Sequence, residues 1–340
     1  MHICNIKLPV NAFLQPVNAF LHRGGAWIAA ALLASVSTLC AAQGFPSKQV
    51  TLVVPNPPGG SIDIQARLYA AKLQEIWKQN VIVEYKAGGG TLIGMDFTAK
   101  SAPDGHTLCM AVTPLVILPA LQPKMPYDTV KDLAGVTLTG VSSILIASSP
   151  TLAANNLAEV IALAKKYPGK LTYGTPGAGS SMHLAGELLK NMAGVDLLHV
   201  PFKGGAQAYP ELMAGRIDLF LDPVFGMYRH VQAGKVKGIA VTSPKPDPSA
   251  PGIAPVAATL PGFSALSING IVVPRATPRD IVRKLNADFI TVLKMPDIAK
   301  RLEEFGLEVV GNSPEEFDAM IRNEIDRWTK VAKASNIKLD

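Results

Sequence analysis

The sequence predicts an α/β protein built as two lobes. Its 340 residues are too many for one small core and about right for two. Short β-branched runs alternate with helically spaced segments along most of the chain, as in a parallel sheet flanked by helices. Two loops far apart in sequence share one design: Val53-Val54-Pro55-Asn56-Pro57-Pro58-Gly59-Gly60-Ser61-Ile62-Asp63 and Tyr173-Gly174-Thr175-Pro176-Gly177-Ala178-Gly179-Ser180-Ser181-Met182-His183. Each follows an apolar run, passes through Pro and Gly, and enters a helical pattern at a serine. Such a joint aims backbone N–H groups and a helix N-terminus at one spot, which favours an anion. Two of them suggest two lobes gripping one small acidic molecule.

The first 42 residues read as an export leader. Lys7 and Arg23 supply positive charge, Ala26–Ala34 is apolar, and Cys40-Ala41-Ala42 offers small residues for cleavage after Ala42. The apolar run is short of the ~20 residues a membrane span needs, and Ser35, Ser37 and Thr38 dilute it. Residues 9–14 and 16–21 repeat Pro-Val-Asn-Ala-Phe-Leu, which lengthens the leader. Cys4 and Cys40 would leave with it. Only Cys109 would remain, which excludes an intramolecular disulfide and a Cys-based metal site.

Beyond the leader, Val50–Pro55 reads as a strand. Ser61–Gln79 reads as a helix with Ile64, Leu68, Ala71 and Leu73 inward and Arg67, Lys72 and Glu75 outward. Val81–Glu84 and Leu108–Val112 are strands, with a loop at Gly88-Gly89-Gly90 and a short helix over Gly94–Ser101 between them. A second set has strands at Ile144–Ala147, Leu171–Gly174, Leu197–Val200, Asp218–Leu221 and Ile239–Val241. Within it, Asn156-Leu157-Ala158-Glu159 resembles a capping box opening a helix that stops before Pro168-Gly169, and Ser181–Met192 is amphipathic. Ser243–Gly262, rich in Pro and Ala, reads as a surface connection. A third set begins with the strand Ile271–Pro274. Thr277-Pro278-Arg279-Asp280 opens a helix to about Leu293, and Ser313-Pro314-Glu315-Glu316 opens the terminal helix. If that last set packs back on the first lobe, the chain crosses twice, near residues 144 and 267. Lobe 1 is then 45–144 with 268–340, and lobe 2 is 145–267.

Composition narrows the function. Charged residues are 17% and hydrophobic ones 48%, the balance of a folded globular protein. The net charge is +6, or 6 − 2 = +4 once Lys7 and Arg23 leave with the leader, a weak bias toward acidic ligands and far short of a nucleic-acid footprint. Thr175–His183 lacks the Lys-Ser/Thr ending of a nucleotide P-loop, and Met182 stands where a dinucleotide fingerprint needs its third Gly. Ser180 or Ser181 with His183 is too close in sequence for a nucleophile–base pair with an oriented third group, so no enzyme is expected. The six His have no metal-ligand spacing, and no cofactor motif appears.

The candidate site therefore centres on the two loops. In the first, Asn56, Pro57, Gly59, Gly60, Ser61 and Asp63 are candidates: the prolines fix the turn, the glycines let backbone approach a ligand, and Ser61 can cap the helix. Asp63 either complements the helix dipole or contacts ligand. In the second, Gly177, Ala178, Ser180, Ser181 and His183 are candidates, with His183 either capping and packing or meeting the ligand. Lys203 follows a strand and either borders the cleft or is solvated. Asp222 ends another strand at the same edge, where open parallel sheets bind ligands.

At these residues the chain closely resembles the periplasmic solute-binding receptors of tripartite tricarboxylate transporters, the Bug receptors. The resemblance spans roughly residues 45–340. It rests on Val54-Pro55-Asn56-Pro57-Pro58-Gly59-Gly60, Ala102-Pro103-Asp104-Gly105, Tyr127-Asp128, Pro168-Gly169-Lys170-Leu171 and Tyr173-Gly174, and further on His183-Leu184-Ala185-Gly186-Glu187, Val200-Pro201-Phe202-Lys203-Gly204, Ala240-Val241-Thr242-Ser243 and Leu260-Pro261-Gly262-Phe263. It implies a type II, Venus-flytrap periplasmic-binding-protein fold, each lobe a mostly parallel sheet flanked by helices. It implies a periplasmic, non-enzymatic, monomeric receptor that closes on a small organic carboxylate and delivers it to membrane transporter subunits. The two loops would pinch the carboxylate, and by position Thr113, Asp222, Ser267 and Asn269 would meet the distal end. The chain departs from the family pattern at Asn56, at Asp222-Pro223 and near Asn269, where the family usually carries an aromatic, an acid–asparagine pair and a bulky aromatic. The distal pocket is expected to be smaller or more polar as a result. Two alternatives stay open on sequence: a receptor handing ligand to a sensor kinase, and an exported enzyme acting on carboxylates.

Overall fold

The structure, a computed structural model, describes residues 44–122, 124–202 and 204–334; the leader with its cleavage site and Lys203 lie outside the described residues. β1 (Val50–Val54) runs parallel to β2 (Val81–Tyr85) and β3 (Thr107–Val112). β5 (Thr172–Thr175) runs parallel to β6 (Leu198–Pro201) and β7 (Leu219–Pro223). These are the alternating strand–helix stretches of the sequence, and parallel pairing follows from their helical crossovers.

The strand that unites them, β4 (Leu133–Ser148), is sixteen residues long, whereas the sequence pattern marked only its last part. Its first part pairs antiparallel with β9 (Leu266–Pro274), from Leu133 opposite Pro274 to Ser143 opposite Leu266. From Ile144 onward it pairs instead with β7 and with β8 (Lys237–Val241). The short β10 (Glu308–Val309) lies against Gly140 and Val141. The sheet is therefore mixed: β2-β1-β3-β9-β4-β7-β5-β6, with β8 and β10 both on β4. The parallel sets form the flanks, and antiparallel strands join them.

The helices in chain order are α1 (Ser61–Trp77), α2 (Leu92–Ala99), α3 (Pro114–Leu121), α4 (Thr129–Asp132), α5 (Leu157–Lys166), α6 (Ser181–Ala193), α7 (Gly205–Met213), α8 (Val224–Gln232), α9 (Arg279–Leu293), α10 (Pro296–Glu304) and α11 (Pro314–Ala334). Two starts follow their sequence signatures. Asn156 Oδ1 accepts from Glu159 N (2.9 Å) and Ser313 Oγ from Glu316 N (3.3 Å), while Glu316 reaches back to Ser313 N (2.9 Å). The inward face of α1 differs from the expected one. Ala66, Tyr69, Ala70, Leu73 and Trp77 are buried, and Ala71 is exposed. The aromatic residues decide the rotation: Tyr69 meets Phe289 of α9 edge-on at 5.9 Å, and Trp77 Nε1 donates to Asp288 of α9 (2.6 Å).

The terminal helix locks the centre. Phe317, Ile321 and Trp328 of α11 are buried in the core. A Cβ on Gly135 or Gly270 would lie 2.8 or 2.5 Å from the Phe317 side chain, which is why two strand positions carry glycine. Arg275 pairs with Asp318, whose Oδ1 also accepts from Gly135 N (2.8 Å). Arg327 donates to the Ser264 carbonyl, just before β9, so α11 also grips the returning chain. Among the described residues no helix is long and apolar enough to cross a membrane.

Candidate ligand-binding cleft

A cavity of about 250 Å³ lies where several strand–helix joints converge. Asn56, Ser61 and Ile62 line it from the β1–α1 joint, and Val112, Thr113 and Pro114 from the β3–α3 joint. Ser180, Ser181 and Met182 come from the β5–α6 joint, and Pro223 and Phe225 from the β7–α8 joint. Ser142 of β4, Ser267–Asn269 of β9, and Phe305 and Leu307 complete the lining. These joints stand at the carboxyl ends of parallel strands, the position topology favours for a ligand. Among the described lining residues none carries a charge.

The first loop is built to leave a helix end uncovered. Gly59 has φ +92°, which only glycine adopts without strain; Gly60, at φ −86°, sits in ordinary backbone. Gly60 is the N-cap, no side chain caps it, and Ser61 is the first helical residue, not the cap. A glycine at this position gives up only a few tenths of a kcal/mol relative to a capping side chain, and it leaves the first-turn N–H groups of α1 uncovered where they face the cavity. Asp63 does not line the cavity. Its Oδ2 accepts from Gly59 N (2.8 Å), and its Oδ1 from Arg67 Nε (2.7 Å) and Tyr85 OH (2.6 Å). Burial alone would raise its pKa, but bonds from Tyr85, Gly59 and Arg67 outweigh it and hold the carboxyl below its ordinary value. Asp63 fixes the loop that presents α1. Pro57, Gly59 and Gly60 are exposed beside it and do not line the cavity.

The second loop is braced from beneath. Ser180 caps α6, accepting from His183 N (3.2 Å) and donating to the Gly177 carbonyl (2.7 Å). His183 Nδ1 accepts from Gly179 N (3.0 Å), and its ring stacks on His199 at 3.9 Å. His199 Nε2 lies 2.7 Å from Thr175 Oγ1. Thus His183 supports the loop and does not line the cavity; neither do Gly177 and Ala178. Burial lowers the pKa of both imidazoles, that of His199 to about 4. Ser181 does reach the cavity, with its Oγ 3.2 Å from Ser267 Oγ.

The distal candidates divide. Thr113, Ser267 and Asn269 line the cavity, and Thr113 Oγ1 accepts from Ile268 N (3.0 Å), tying α3 to β9. Asp222 is 6% exposed and outside the lining, with the Tyr209 hydroxyl donating to its Oδ2. Burial pushes its pKa up to about 7, against the opposing Tyr209 bond. A Cβ on Gly205 or Gly226 would meet the Tyr209 hydroxyl at 2.9 Å, so both glycines permit this pair. With the folded pKa above the unfolded 3.8, the folded state holds the extra proton and loses stability as pH rises from about 4 to 7. Asp222→Asn keeps an acceptor for Tyr209 without the charge. It is expected to be more stable than wild type at pH 8 by on the order of 2–4 kcal/mol, read by denaturant or thermal unfolding, with the gain gone at pH 4. Equal gains at both pH values would refute the charge-burial account.

Several lining residues escaped the sequence reading. Gln65 carried a detectable signal, a polar residue beside the buried Ala66 and Tyr69 on α1. Phe225 follows Asp222-Pro223, another strand–proline–helix joint. It is 42% exposed and meets Phe305 edge-on with ring centroids 6.2 Å apart. Phe305 and Leu307 come from a turn after α10 that no local pattern links to the cleft. Among the described residues no group of three His, Cys, Asp or Glu is placed to hold a metal, and Cys109 is buried, its thiol pushed up to about 12 by burial.

Comparison with known proteins identifies this architecture. The chain is 30% identical over 310 residues to Protein BugT of Bordetella pertussis, covering 90% of this chain and 95% of that one. The solved structure of Rpa4515 from R. palustris with adipate is 33% identical, covers 86% of this chain and 99% of its own, and superposes with a TM-score of 0.75. MatC (Rpa3494) from Rhodopseudomonas palustris with bound malate is 31% identical, covers 84% and 99%, and has a TM-score of 0.71. These folds are the two-lobed α/β periplasmic-binding type, and their family consists of solute-binding receptors, not enzymes. The family model described as "Tripartite tricarboxylate transporter family receptor" matches residues 65–337, so the chain belongs to the receptors of the tripartite tricarboxylate transporter family.

Proposed function

We propose that this receptor captures a small organic carboxylate in the cleft and delivers it, as a periplasmic monomer, to membrane subunits of its transporter. The observation that carries the reading is the convergence of two helix N-termini, α1 at Ser61–Ile62 and α6 at Ser181–Met182, on one 250 Å³ cavity without a charged lining residue among those described. The first-turn N–H groups have no acceptor within their helices and suit a carboxylate. The volume is below that of drug-sized sites and fits a small acid. Adipate and malate in the two similar structures support this class. Met182, Phe225 and Phe305 would cover its hydrocarbon part.

The lobes we propose are 45–144 with 268–340, and 145–267. Support comes from β4, which changes partners between Ser143 and Ile144. The return passes beside it, where Ala265 N donates to Thr242 O (3.1 Å) and Leu266 pairs with Ser143. Ligand should favour closure about these two crossings. The mature chain would begin near Gln43, which N-terminal sequencing of exported protein tests directly.

A panel of organic acids in thermal-shift and calorimetric assays tests the function. An acid at a hundred times its dissociation constant should stabilise the protein by about 2.7 kcal/mol. Small-angle scattering with that acid should show a smaller radius of gyration. If no carboxylate binds stoichiometrically, the proposal is wrong. Pull-down with transporter and sensor-kinase subunits identifies the partner.

A further inference from the structure

Gln65 is 2% exposed, yet it lines the cleft. Its Oε1 is buried and has no hydrogen-bond partner in the protein, and the same holds for Oδ1 of Asn56 across the β1–α1 joint. Among the described buried side-chain atoms without a partner, these two belong to residues that line the cleft, and a buried polar group left unbonded destabilises the fold. Such groups are completed by ordered water, an ion or a ligand. Gln65 is four residues beyond Ser61 and so lies on the same face of α1, about one turn or ~6 Å along the axis from the helix end proposed to hold the carboxylate. A third amide, Asn269, lines the same cavity.

We infer that Gln65 is a specificity-determining residue, whose amide together with that of Asn56 bonds an uncharged polar group, a hydroxyl or carboxamide, on the ligand's far end. This rests on the carboxylate reading above and extends it. Side-chain amides both donate and accept, and they turn over about their last bond, so they match groups that do both. A second carboxylate suits the place less. No cation stands among the described lining residues, and a buried charge without a partner is costly. The preferred ligand is then a short monocarboxylate with a polar, neutral end.

The test compares wild type with Gln65→Met and Gln65→Leu, two apolar replacements of similar size. Calorimetry would use short straight-chain acids of matched length ending in methyl, hydroxyl, carboxamide or carboxylate. Wild type should bind the hydroxyl- or carboxamide-ended acid about tenfold or more tighter than the methyl-ended one, and both variants should erase that preference. The two polar ends separate the hydroxyl from the carboxamide source. The unliganded variants should melt a few degrees higher than wild type, since a buried unpaired oxygen is gone. A merely structural glutamine would lower the melting point and weaken all acids alike, which overturns the inference. So does a wild type that prefers the dicarboxylate, or variants that keep the wild-type preference. Those results leave the carboxylate function standing, whereas failure of wild type to bind any of the acids sinks both.

Discussion

Ser61→Asp is expected to lower affinity for any carboxylate about a hundredfold while leaving the unliganded protein as stable as wild type or more so. The two effects share one cause. Ser61 is the first residue of α1, whose end has no side-chain cap, and it lines the cavity. An acid in a first helical turn interacts favourably with the helix dipole, by about 0.3–1 kcal/mol. The same charge placed ~5 Å from a ligand carboxylate repels it by roughly 3 kcal/mol at an effective dielectric of 20. Each 1.4 kcal/mol is about a factor of ten, which gives the hundredfold loss. Ser61→Asn has similar shape without the charge and should lose less than tenfold. Calorimetry gives the affinities, and thermal melting shows that the variant is folded. Tight binding by a well-folded Ser61→Asp protein would mean that the carboxylate does not sit at α1.

The parts of the molecule legible in sequence are those whose physics is local. The β1–α1 and β5–α6 joints declare themselves through Pro, Gly and Ser, and the capping serine and asparagine of α11 and α5 do the same. Both joints reach one cavity. What stayed hidden depends on partners distant in the chain. β4 is interrupted by Gly135, Gly140 and the pair Ser142-Ser143, so it lacks the pattern of a long strand. Its glycines make sense only beside Phe317 and Leu307. Asp63 illustrates a half-legible residue. Its place in a first helical turn and its i,i+4 pairing with Arg67 are local, but its engagement by Tyr85 needs the β2 strand beside α1. Apolar spacing misplaces the rotation of α1 because Ile64 and Leu68 are apolar yet only half-buried, while Tyr69 and Trp77 take the core. That rotation turns Gln65 toward the cleft, which hydropathy alone assigns to the outside.

Acid should loosen the second loop, and the difference between wild type and His199→Asn should report it. His183 Nδ1 accepts the Gly179 N–H, so protonation there sets a donor against a donor. Thr175 Oγ1 donates to the Gly177 carbonyl (3.1 Å) and lies against His199 Nε2, so both imidazoles brace the loop ahead of Ser181. Burial is the main reason both pKa values are low. Lys190 adds to it for each ring, the neighbouring His183 adds to it for His199, and Glu187 opposes it for His183. Glu187 is itself engaged by Tyr173 OH (2.6 Å) and Lys190 Nζ (2.9 Å). Between pH 6.5 and about 4 the unfolded chain binds more protons at His199 than the folded one does, so stability rises with pH and is lost on acidification. With the ring partly solvated, the effect should be roughly 2 kcal/mol. Asp222 acts with the opposite sign over nearly the same range, which flattens the wild-type curve. The readout must therefore be a difference. Relative to wild type, His199→Asn should gain melting temperature steadily as pH falls from 6.5 to 4. Wild type should also lose more affinity than the variant does for the tightest acid of the panel over that range, after correction for protonation of the acid. Parallel melting curves for the two proteins would show that His199 is not the titrating brace.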